Sequence, residues 1–129
     1  MEIKDPILRQ ILNRAKKDPS VLAIALFGSY ARQEKNYRDI DICLFLVPGK
    51  YSQLQLSKQK LKYTPEEEKY DVQIFQQLPL YIQKRILKEG KIIYCQDENK
   101  LYDLYYRSIQ DYELFRPYYE DYLKAVENG

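Results

Sequence analysis

Residues 21–27, VLAIALF, form an unbroken apolar run of seven, bracketed by Asp18-Pro19 before it and Gly28-Ser29 after it. A run this short between turn signals reads as a β-strand buried on both faces. The chain must then supply apolar cover for both sides of a sheet, which restricts it to a layered α/β or α+β arrangement. At 129 residues it is long enough for one such core and too short for a catalytic domain with a full accessory domain.

The remaining elements follow from periodicity and punctuation. Ile7, Leu8, Ile11, Leu12 and Ala15 recur at helical spacing, with Pro6 suited to a first turn. A second strand is predicted from about Asp39 to Val47, ended by Pro48-Gly49. Residues 52–62 suggest a weak helix with Leu54, Leu61 and Leu56 inward, and TPEEE (64–68) a single helical turn. A third strand is expected at 70–75 and a short helix at 78–90, with Ile82, Ile86 and Leu87 on one face. Residues 91–95, KIIYC, read as a fourth strand, and the rest as helix, broken or kinked near Arg116 by Pro117. The expected architecture is a small mixed sheet of about four strands flanked by helices, with residues 1–96 as the core and 97–129 as a C-terminal helical extension.

Within the second strand, Asp39 and Asp41 project to one face while Ile40, Ile42 and Leu44 project to the other. Two carboxylates on a half-apolar strand repel each other and lose hydration. A divalent cation is the simplest thing to hold them. The chain has no histidine and two isolated cysteines, Cys43 and Cys95, which excludes the usual zinc spacings and a disulfide scaffold. A hard cation such as Mg²⁺, which takes one or two carboxylates together with phosphate oxygens, fits better. Asp71, heading the third strand, would complete a cluster of three if the two strands are neighbours, and three such acids suit a two-metal site for displacement at phosphorus. Gly28 can adopt backbone angles closed to other residues, Ser29 can cap a short helix starting at Tyr30, and Arg32 lies one turn further on. Amides at such a turn and a nearby guanidinium bind phosphate, so the set fits a nucleoside triphosphate held by its tail.

FGSYARQ followed by DIDICLFLV, nine residues separating Ser29 from Asp39, resembles the DNA polymerase beta-like nucleotidyltransferases, and among them the minimal nucleotidyltransferase (MNT) branch. LPLYIQKRILKEGKIIY and DYELFRPYYEDYLK are similar to the C-terminal parts of MNT proteins paired with HEPN toxins, so the likeness spans most of residues 20–124. The resemblance implies the nucleotidyltransferase fold, magnesium on Asp39 and Asp41 with Asp71 completing the site, and triphosphate at Gly28 and Ser29. It also implies the activity of an antitoxin: transfer of AMP from ATP to a tyrosine hydroxyl of a cognate HEPN ribonuclease, which is thereby silenced. Relatives usually carry glycine where Gln33 stands, and commonly have one more residue between the serine and the first aspartate.

The charge distribution adds an interaction surface. The whole chain is +2, which gives no argument for nucleic acid or membrane, but the segment from Asp97 onward is −4 against +6 for the rest. Seven of the 14 tyrosines also lie there: Tyr102, Tyr105, Tyr106, Tyr112, Tyr118, Tyr119 and Tyr122. One inward stripe cannot bury all of them, so an acidic, tyrosine-rich surface for a protein partner and a hetero-oligomer is expected. A second reading is an antitoxin that neutralises its toxin by binding alone. A small-molecule transferase of the aminoglycoside type lacks the extra helical domain, and a polymerase lacks a basic groove. The charged N-terminus has no apolar stretch of signal-peptide type, and the expected location is cytoplasmic.

Overall fold

The computed structural model describes residues 3–33 and 39–128, the side chains of Phe115, Tyr118, Tyr119, Tyr122 and Asn128 excepted. The chain runs α1 (Pro6–Lys16), β1 (Val21–Phe27), α2 (Gly28–Ala31), β2 (Ile40–Leu46), α3 (Gln53–Tyr63), β3 (Tyr70–Ile74), a 3₁₀ turn (Phe75–Gln77), α4 (Leu80–Glu89), β4 (Lys91–Cys95) and α5 (Glu98–Asn128). The strands form one sheet in the order β3–β2–β1–β4. β1 is antiparallel to both β2 and β4, whereas β2 and β3 run parallel, so the chain crosses between them through α3.

Parity along the strands divides the interior into two layers. Ile40, Ile42, Leu44 and Leu46 of β2 face Leu8, Ile11, Leu12 and Ala15 of α1 and Leu56 and Tyr63 of α3. Ala23, Ala25, Cys43 and Phe45 face the other way, against Phe75, Ile86 of α4 and Leu101 of α5. The small side chains of this second face let α4 and α5 sit close to the sheet. The aromatic ones fill its far end, with Phe45 stacked on Phe75 at 4.5 Å between ring centroids and on Tyr105 at 6.1 Å. Fully burying side chains of this size contributes about 1.5–3 kcal/mol each. α1 is started by Asp5, whose Oδ1 accepts the Leu8 amide at 2.9 Å, and α3 by a capping box between Ser52 and Gln55.

Three sequence expectations fail in instructive ways. Leu54 and Leu61 of α3 are 64% and 76% exposed; Leu56 is buried as expected, and Gln59 and Tyr63, not the other two leucines, share its inward stripe. Polar Gln59 belongs there because it, Tyr63 and Ser20 all donate to Asp18, at 3.1, 2.8 and 2.6 Å. TPEEE forms bends and a turn rather than a helical turn, with the Tyr70 amide donating to the Glu67 carbonyl at 3.3 Å. α5 runs through Pro117 as one helix, so the break expected near Arg116 does not occur. Its neighbours Glu113, Leu114, Arg116 and Glu120 are exposed, so water can satisfy the carbonyl that proline leaves without a donor. Among the described residues no helix is long and apolar enough to cross a membrane.

Candidate active site

The end of β1 and the beginnings of β2 and β3 meet at one edge of the sheet. The register pairs Phe27 with Asp41, and Asp41 with Asp71. The backbone of Phe27-Gly28 and two carboxylates therefore stand in a row across three strands. Asp39 lies two residues before Asp41, just ahead of β2, and is exposed, as is Asp71; Asp41 is half-buried. Burial pushes the Asp41 carboxyl above its ordinary pKa, the negative charges of Asp71 and Asp39 add to this, and Arg32 opposes it. The three aspartates and Arg32 singled out in the sequence thus come close enough to be felt at one carboxylate.

Gly28 has φ +76°, in the left-handed region, and a Cβ placed on it would overlap Asp41 Oδ2. Here the expectation needs refining: the space left by the missing side chain is filled first by the protein's own carboxylate. Ser29 is not the N-cap of the following turn. α2 begins at Gly28, Phe27 occupies the cap position without a side-chain hydrogen bond, and Ser29 sits inside the turn, which closes through Arg32 N donating to Gly28 O at 3.1 Å. The next residue, Gln33, has φ +60°. Residues 34–38, where the sequence suggested a loop, lie outside the described residues.

Two partners of the site were not legible beforehand. Gln73 Nε2 donates to Asp71 Oδ1 at 2.9 Å, and Lys60 Nζ of α3 donates to Gln73 Oε1 at 3.4 Å. Asp71 is thereby held by a chain that begins on another element. The available signal was parity, since Gln73 follows Asp71 by two on the same strand. The second is α4: Phe27, Gly28, Arg32 and Asp41 line one side of a cavity of about 210 Å³, and Ile82, Arg85, Ile86 and Glu89 line the other. A larger cavity, about 520 Å³, lies between α1 and residues 62–67, and none of the strand-end aspartates lines it. Cys43 is on the aspartate face as parity required, but burial raises its thiol pKa far out of reach.

Among the described residues no three ligating side chains gather tightly enough to cage a metal ion by themselves. The donor set is that of a hard cation completed from outside. Its carboxylates are clustered so that one of them resists ionisation, and two are open to solvent where a phosphate could supply the remaining oxygens.

The sequence profile of the family described as Polymerase beta, Nucleotidyltransferase matches residues 9–99. A Methanocaldococcus jannaschii protein, provisionally named a protein adenylyltransferase, is 37% identical over 110 residues, covering 84% of this chain and 78% of that protein. The fold is similar to a chain of a toxin–antitoxin crystal structure with AMP-PNP (TM-score 0.71, 15% identity, 97% of this chain and 99% of that one). It is also similar to a chain in the structure of tri-AMPylated Shewanella oneidensis HEPN toxin in complex with MNT antitoxin (TM-score 0.66, 16% identity, 93% and 92%). With the profile spanning the sheet and the strand-end aspartates alike, the chain belongs to the polymerase beta nucleotidyltransferase family.

Proposed function

We propose that this nucleotidyltransferase moves AMP from ATP onto a tyrosine hydroxyl of a partner HEPN ribonuclease and so neutralises it as a cytoplasmic antitoxin. The observation that carries the chemistry is the row formed by Gly28, Asp41 and Asp71 across β1, β2 and β3. The choice of AMP and of a protein acceptor is supported by the name of the M. jannaschii relative, and the toxin partner by the fold shared with MNT antitoxins.

In this reading Asp39, Asp41 and Asp71 would hold Mg²⁺. Bound there, magnesium would neutralise the charge that develops on the phosphoryl oxygens and the leaving pyrophosphate. The chain's own groups do the rest. Gly28, Ser29 and Arg32 hold the phosphate tail. Gln73 occupies Asp71 Oδ1 and leaves Oδ2 to accept the proton of the attacking hydroxyl. The hydroxyl oxygen then bonds to the α-phosphorus, the bond from that phosphorus to the bridging oxygen breaks, and pyrophosphate leaves with the electron pair.

Binding alone is the second reading, and α5 favours it. Tyr102, Tyr106, Ile109, Leu114, Leu123 and Val126 are all exposed along it. Incubation with the HEPN partner, ATP and Mg²⁺, read by intact-protein mass spectrometry, separates the two. Addition of AMP units to the partner, abolished by Asp39→Asn with Asp41→Asn, is the expected result. An unmodified partner that is nevertheless inhibited, equally by that double variant, would establish neutralisation by occlusion instead.

A further inference from the structure

α4 presents Ile82, Arg85, Ile86 and Glu89, at i, i+3, i+4 and i+7, to the cavity beside Asp41. The first part of this stripe is ordinary packing: Ile86 is buried and Ile82 packs against the same core. The second part is not, because a charged pair replaces apolar residues where the stripe reaches the strand ends. Arg85 Nε lies 3.6 Å from Glu89 Oε2, with the two side chains 68% and 45% exposed. A pair so open to water is held weakly and exchanges readily. The other cation of α4 near its middle, Lys84, is already used: its Nζ sits 4.1 Å from the centre of the Tyr112 ring on α5.

Opposite Arg85 the cavity is bounded by Gly28, Arg32 and Asp41. Its volume, about 210 Å³, is below the ~300 Å³ at which pockets for whole ligands begin, so it suits one part of a nucleotide. The lining sets two guanidinium groups against two carboxylates, Asp41 and Glu89. The guanidiniums and the glycine backbone are the groups there that can take an anionic part, and arginine pairs with phosphate through two parallel hydrogen bonds.

We propose that Arg85 is a phosphate-contacting residue of the nucleotide site, its guanidinium leaving Glu89 for the polyphosphate tail, so that α4 forms the second wall of a cleft whose first wall is α2. The proposal rests on the nucleotidyltransferase reading and deepens it.

Titration calorimetry of the full chain with Mg²⁺ and either ATP or inorganic tripolyphosphate tests it. Arg85→Ala is expected to weaken both ligands by about tenfold, the scale of one hydrogen bond to a charged group. Arg85→Lys should recover part of the loss, Glu89→Gln should bind at least as tightly as wild type, and Lys58→Ala, an exposed change on α3, should bind as wild type does. Unchanged ATP binding by Arg85→Ala overturns the assignment while leaving the nucleotide site intact. A loss for ATP but not for tripolyphosphate also overturns it, because Arg85 would then meet the nucleoside. Failure of the wild-type chain to bind either ligand overturns this inference together with the nucleotide reading.

Discussion

The carboxylate of Asp41 stands in the space where residue 28 would carry a side chain. Gly28 and Asp41 are 13 positions apart, yet the β1–β2 register and the left-handed backbone at Gly28 fit them to each other. Gly28→Ala combines left-handed strain of about 1–2 kcal/mol with a collision against Oδ2. It should lower the free energy of unfolding by about 1–3 kcal/mol in urea titrations, and transfer activity should fall as steeply as in Asp41→Asn because the same carboxylate is displaced.

Replacing both Asp39 and Asp41 by asparagine removes the charges that would hold a cation while leaving side-chain size unchanged. Transfer from labelled ATP is expected to drop on the order of 10³-fold or more, since metal stabilisation of the transition state is worth several kcal/mol. The circular dichroism spectrum should be unchanged.

Asp41 also makes stability depend on pH. Its pKa is raised by burial and by Asp71 and Asp39, so the folded state binds this proton more tightly than the unfolded chain does. That contribution is complete below the ordinary carboxylate pKa of about 4 and is lost as pH rises through the raised value. Asp41→Asn should therefore melt higher than wild type near pH 7 without metal, with the gap closing as pH falls towards 4. Added Mg²⁺ should narrow the gap at neutral pH by stabilising the wild type alone.

Asp18 behaves with the opposite sign. Burial pushes its carboxyl up, but hydrogen bonds from Ser20, Tyr63 and Gln59 outweigh this and hold it far below the carboxylate range. Its stabilisation is present at neutral pH and disappears as pH falls below about 4. Asp18→Asn should cost about 2 kcal/mol at pH 7 and progressively less in acid, with transfer unaffected.

Gln33 occupies a backbone conformation that favours glycine, at φ +60°. Gln33→Gly should raise the melting temperature, by up to about 1 kcal/mol in free energy, while Gln33→Val, branched at Cβ, should lower it. The resemblance noted in the sequence implies glycine at this position, and the backbone angle supplies a reason for it.

Gln73→Leu keeps the strand and removes the donor to Asp71 Oδ1. A drop of roughly tenfold in kcat with little change in KM for ATP is the expected signature of a carboxylate no longer held in place.

The parts of this molecule legible in its sequence are those fixed by short-range rules. β1 and β4 follow from their apolar runs, and the division of β2 between the two core layers from strand parity. What escaped was set by distant partners. The inward stripe of α3 includes Gln59 because Asp18, 41 residues earlier, accepts its hydrogen bond. Ser29 looked like a cap because the residue type suits one, but the left-handed Gly28 already starts the turn. Likewise, nothing local to Arg85 announces the strand-end carboxylate it approaches; only the packing of α4 brings it there.

α5 is one helix in geometry and two in thermodynamics. Its first part is anchored: Leu101 and Ser108 are buried, Ser108 donates to Gln83 at 2.9 Å, and Tyr112 lies under Lys84. From Glu113 to Asn128 its described side chains are exposed, and a helical stretch of this length is marginal in water without support. Among the described residues, its order is propagated from the anchored turns rather than secured by tertiary contacts. Backbone amides should therefore exchange with solvent progressively faster towards the C-terminus, and a partner that seats on Leu114, Leu123 and Val126 would slow that exchange at once along the whole segment. The far half of α5 is in this sense a fold whose completion has been left to whatever it touches.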